Sequence, residues 1–152
     1  MEERAVPQKL ARWLELLDLV PDRAERMALL IDTADRFRGV PERVARRPYP
    51  EDHKTPACES EVYVWATPLP DDSLEYHFAV ENPQGVAAKA LAVILAETLS
   101  GAPPAEVAEV PTDIVLRIFG AELSMGKSMG LMGMVAMVRN SARRHLVSRA
   151  AH

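Results

Sequence analysis

The chain has 152 residues, 48% of them hydrophobic and 26% charged, with a net charge of −4. That is the make-up of one soluble domain over residues 1–152, able to bury about 70% of its unfolded surface without disulfide staples. The acidic balance gives no general attraction to nucleic acid or anionic membrane, no stretch approaches the ~20 apolar residues that span a bilayer, and one cysteine cannot close an intramolecular disulfide.

Leu10, Trp13, Leu14 and Leu17 recur at helical spacing and predict a first helix over about 8–19. Pro21-Asp22 opens a second, with Met27, Leu30, Ile31, Ala34 and Phe37 on one stripe and Gly39-Pro41 as the stop. Residues 40–57 carry Pro41, Pro48, Pro50 and Pro56 and read as loop. A strand over about 59–66 follows, with Val62 and Val64 on one face and Tyr63 and Trp65 on the other. Turn chemistry at Pro68–Asp72 leads to a second strand over about 74–81, in which Leu74, Tyr76, Phe78 and Val80 alternate with Glu75, His77, Ala79 and Glu81. The two pair as a hairpin with one face on the core; a third strand has no clear pattern.

Asn82-Pro83 has the form of a helix cap and first residue, predicting a helix to about Leu99 that stops at Ser100-Gly101. Short helices over 104–109 and 112–119, ended by Gly120, precede a glycine- and methionine-rich connection and a last helix over about 127–148. Two helices, then a hairpin with a possible third strand, then further helices predict an α+β fold, a small antiparallel sheet packed against helices. Arg139, Arg143, Arg144, His145 and Arg149 read as a solvated basic face that complements the dipole of the terminal helix.

Cys58 stands where the polar loop turns into the first strand, and it is the candidate working atom. A packing cysteine belongs inside an apolar run, whereas this one follows His53, Lys54 and two prolines. His53 and Lys54 could supply the positive charge that favours a thiolate if the loop folds back. No metal site is predicted, because one cysteine and the scattered His53, His77, His145 and His152 do not close one. His77 reads as a surface residue of its strand. Ser60 or Ser124 with His53 lacks any nucleophile-elbow context. Gly126, Gly130 and Gly133 follow no strand and make no phosphate fingerprint. Met125, Met129, Met132, Met134 and Met137 read as core, or as an adaptable partner surface.

Three segments carry a resemblance over roughly residues 10–146. The first is Val44 to Trp65, with Cys58-Glu59-Ser60-Glu61-Val62-Tyr63-Val64-Trp65 as its Cys-x-Ser-x-Val run. The second is Ala87–Leu95 followed by Leu99-Ser100-Gly101-Ala102-Pro103-Pro104-Ala105-Glu106-Val107, and the third runs from Leu123 to Met134. Together they resemble the SufE-type sulfur acceptors, partners of cysteine desulfurases in iron–sulfur cluster assembly. Ala57 stands where that family usually has glycine, and Met125-Gly126-Lys127 replaces its proline-serine-arginine, keeping a positive charge without the planar fork.

The resemblance implies a SufE/IscU-like fold and a cytoplasmic sulfur carrier rather than a stand-alone enzyme. Cys58 would take a persulfide sulfur from a pyridoxal-phosphate-dependent cysteine desulfurase and pass it to an iron–sulfur scaffold protein. His53, Lys54, Glu59, Ser60 and Lys127 are the supporting or partner-binding candidates, and no cofactor or metal is expected on this chain. Two other readings stay open: an adaptor that binds a desulfurase through the last helix with Cys58 structural, and a redox-sensing thiol. The acidic start, Met1-Glu2-Glu3-Arg4, is unlike a secretory signal and fits the cytoplasmic expectation.

Overall fold

The computed structural model describes residues 6–56, 61–82, 85–120 and 123–151. Its elements are α1 (Gln8–Asp18), α2 (Arg23–Asp35), a 3-10 turn (Glu51–His53), β1 (Val62–Pro68), β2 (Leu74–Val80), α3 (Val86–Leu99), α4 (Pro104–Val107), α5 (Ile114–Phe119) and α6 (Met125–Ala150). The fold is α+β, with the antiparallel pair β1–β2 packed on α3 and α6.

The sequence explains most of these elements directly. Leu10, Leu14 and Leu17 of α1 are buried, as their spacing requires. Asp22 caps α2 by accepting from the Glu25 N–H at 2.9 Å. The inward stripe of α2 is rotated from the predicted one: Leu30, Thr33 and Ala34 are buried, while Met27 and Ile31 are largely exposed. The helix also ends at Asp35, before Gly39 is reached. α3 is buried almost all round, with Ala90, Leu91, Ile94, Leu95 and Leu99 fully enclosed. Each such leucine or isoleucine contributes about 1.5–3 kcal/mol of transfer free energy. Gly85, not Asn82, is the residue before α3, and the Asn82 carbonyl instead accepts the Gly85 N–H at 3.0 Å.

The hairpin differs from the expectation of one buried face. Val64 pairs with Phe78 and Trp65 with His77, and Val62, Val64, Tyr76 and Phe78 face the helices. The opposite face is covered too. Tyr63, Trp65 and Ala79 form a second small core with Val40, Val44, Ala45 and Tyr49 from the loop after α2. Arg47 fastens that loop to the chain just after β2 through a two-pronged bond to Glu81, at 2.7 and 2.8 Å. Beneath this cover His77 is mostly sequestered: its side chain is 10% exposed, 3.0 Å from Glu75 and 3.2 Å from Thr67.

α6 begins at Met125, with Ser124 as its cap accepting from Lys127 N–H at 3.2 Å. Gly126 therefore lies inside the helix rather than in the connection before it, and Gly130 and Gly133 lie within it as the predicted span over 127–148 requires. Its basic end is not simply a solvated face. Arg149 pairs with Asp72 at 2.7 Å and His145 with the same carboxylate at 3.2 Å, tying the helix to the β1–β2 turn. Arg139 is half-buried and its Nη1 reaches the Val110 carbonyl at 3.5 Å.

Candidate functional site

Cys58, Glu59 and Ser60 lie outside the described residues, and the geometry available is that of the chain on both sides of them. Before them, the turn Glu51–His53 delivers Lys54 to the edge of β1 away from β2, where it forms an isolated antiparallel bridge with Tyr63. Among the described residues this bridge is all that stands for a third strand. The N–H of the next residue, Thr55, donates to the Val62 carbonyl at 2.8 Å. The chain leaving Thr55 is thus returned to within one hydrogen bond of it at Val62, and the segment that includes Cys58 is closed at its base.

His53 belongs to this base. Its Nδ1 lies 2.8 Å from the Val64 carbonyl, which can only accept, so that nitrogen carries the proton. The imidazole stacks on Trp65, 5.3 Å between ring centroids and 23° between planes, and Tyr49 meets the same indole edge-on. His53 is therefore fixed on β1 by hydrogen bond and ring contact. Lys54 is held by its backbone bridge, half-buried, and its charge opposes the rise in the Tyr63 phenol pKa that burial chiefly drives.

A contact that sequence reasoning missed supports the base from below. Thr55 is 1% exposed, and its hydroxyl has no hydrogen-bond partner among the described residues. Its methyl lies against Gly133 of α6. A Cβ placed on Gly133 would stand 2.9 Å from Thr55 Cγ2 and 3.3 Å from the Pro56 carbonyl oxygen. The signal in the sequence is the glycine spacing on α6, which is unfavourable for a helix by about 1 kcal/mol per glycine unless packing requires it.

The structure brings His53, Lys54 and Thr55 together at the β1 edge and does not bring Lys127 to them. Lys127 is exposed in the first turn of α6, six residues before Gly133, which is about 9 Å along the helix axis and about 120° around it. Among the described residues no hydrogen bond or ion pair joins Lys127 to His53 or Lys54. The methionines also divide. Met134 is fully buried, whereas Met125 and Met129 are 79% and 53% exposed on the first turns of α6. Among the described residues no cluster of histidine, aspartate and glutamate could hold a metal ion, and no helix is long and apolar enough to cross a membrane.

The SufE family model, described as an Fe-S metabolism associated domain, matches residues 11–142 of this chain. The chain belongs to the SufE family. That places it in Fe–S metabolism, and the match spans every element from α1 into α6 that forms the base just described. Among solved structures, the solution structure of a hypothetical protein from Thermus thermophilus is similar, with a TM-score of 0.72 and 25% identity. The likeness covers 93% of this chain and 98% of that one. No curated protein matches.

Proposed function

We propose that this SufE-family chain is a sulfur acceptor, taking a persulfide sulfur from a cysteine desulfurase onto Cys58 and delivering it to an iron–sulfur scaffold in the cytoplasm. One observation carries the reading: the family match encloses the chain's only cysteine, in the segment whose base is closed by Thr55 and Val62. A carrier needs one thiol that a partner can reach, and a short segment between two residues joined at its base is a means of presenting it. A scaffold that ligates iron would need several such ligands.

The chemistry is a thiolate displacement. The Cys58 thiolate attacks the outer sulfur of the desulfurase persulfide, a new S–S bond forms, and the old one breaks. The desulfurase cysteine leaves as a thiolate, and the terminal sulfur, with its proton, passes to Cys58. No net oxidation occurs, so no further reactant is required. Formation of the donor persulfide belongs to the desulfurase and its pyridoxal phosphate. His53, Lys54, Glu59 and Ser60 are supporting residues in this reading. Lys127, exposed on the first turn of α6, is a supporting positive charge near the thiol or at the docking face.

Stimulation of a cysteine desulfurase tests the proposal. Addition of the wild-type chain should raise sulfide production from cysteine in the presence of reductant, and Cys58→Ser should leave the rate at that of the desulfurase alone. Stimulation that survives Cys58→Ser would instead support an adaptor. The exposed Met125 and Met129 would suit such a role, since thioethers repack readily against a partner.

A further inference from the structure

We infer that Gly133 of α6 and Thr55 of the loop base form a positioning contact that sets how the Cys58 thiol is presented. The inference rests on the reading of Cys58 as the acceptor and extends it to a residue 75 positions away in the chain.

Thr55 is β-branched, so its χ1 is stiff, and at 1% exposure its methyl has nowhere to turn. The second atom facing Gly133 is the backbone oxygen of Pro56, whose ring already fixes φ. On the near side, the chain is pinned by the Lys54–Tyr63 bridge and by the Thr55–Val62 hydrogen bond. On the far side, α6 is held by buried Leu131, Met134, Val135 and Val138. A side chain at Gly133 therefore strains the chain at Thr55 and Pro56, the residues that lead to Cys58.

The sign of the effect distinguishes this contact from an ordinary helix glycine. At an unobstructed helix position, Gly→Ala stabilises, by about 0.5–1 kcal/mol. With Cβ at 2.9 Å from a buried methyl, the same change must strain the contact instead. Removal of that methyl by Thr55→Ser relieves the nearer of the two clashes, so the second substitution should suppress the first.

The experiment measures the rate of Cys58 alkylation by iodoacetamide as a function of pH in the folded full chain. It compares wild type, Gly133→Ala, Thr55→Ser and the double variant, at a temperature well below each thermal midpoint. Gly133→Ala should change the plateau rate by about three-fold or more, as expected for residues in direct contact. Thr55→Ser alone should stay near wild type, and the double variant should return to within about two-fold of it. A Gly133→Ala chain that alkylates as wild type, whether it melts higher or lower, would overturn the inference. If Gly133→Ala alone does not fold, restoration of folding by Thr55→Ser supports the contact, and failure of the double variant overturns it. Alkylation needs no desulfurase, so a chain that accepts no sulfur would defeat the acceptor reading while leaving this coupling to be decided separately.

Discussion

The Thr55 N–H and the Val62 carbonyl meet at 2.8 Å, joining the end of the loop after α2 to the first residue of β1. This bond closes the base of the segment that holds the only cysteine, and α6 supports it through Gly133. Sheet, loop and last helix therefore converge on Thr55.

The Thr55 hydroxyl is buried without a hydrogen-bond partner among the described residues, and such a group costs about 1–3 kcal/mol. Thr55→Val keeps the branched shape against Gly133 and removes the orphan. It should stabilise the chain by about 1 kcal/mol and raise the thermal midpoint by about 2–4 °C in calorimetry. A lower midpoint would mean that the hydroxyl is satisfied in solution.

His77 provides the pH dependence. Burial is the main force depressing its pKa below the ordinary 6.5, with Arg43 adding to it and the Glu75 carboxylate opposing. Because protonation is harder in the fold, the unfolded chain binds the proton first. The stability associated with neutral His77 is complete above pH 6.5 and is lost as pH falls from there through the lowered folded value. An NMR titration of the imidazole should place its midpoint below 6.5, and Glu75→Gln should move it lower still. A midpoint at or above 6.5 would show that the Glu75 contact outweighs burial.

Arg26 holds the other end of the molecule. Its guanidinium donates to the Leu17, Arg117 and Val20 carbonyls at 2.8, 3.0 and 3.2 Å. Leu17 and Arg117 lie in the last turns of α1 and α5, so one guanidinium ties the ends of both helices to α2. Arg26→Ala should cost about 2 kcal/mol in urea unfolding, and Arg26→Lys should recover only part of it, since an ammonium cannot reproduce the planar fork. An unchanged midpoint for the alanine variant would show that water replaces these bonds freely.

The inner half of this fold is legible in the sequence because regular elements facing one core leave a period. Leu10, Leu14 and Leu17 keep theirs, as do Val62 and Val64 against Tyr76 and Phe78. What stays concealed comes from irregular chain. Val40, Val44, Ala45 and Tyr49 cover the second face of the hairpin without any repeat, and so His77 reads as a surface residue. The role of glycine inside α6 is hidden for a related reason: glycine is a poor helix former, and its value at Gly133 depends on Thr55, which is remote in sequence. Cys58 itself stands out by its place between a proline-rich loop and a strand, but the chain around it gives no sign of the bond that closes its base.

The most direct test of the acceptor reading is intact mass after incubation with a pyridoxal-phosphate-dependent cysteine desulfurase and cysteine. Wild type should gain about one sulfur atom, ~32 Da, lost on reduction, as thiolate attack on a sulfane sulfur requires, and Cys58→Ser should gain none. A wild-type chain that stays unmodified while the desulfurase turns over, or a Cys58→Ser chain that gains the same mass, would contradict it.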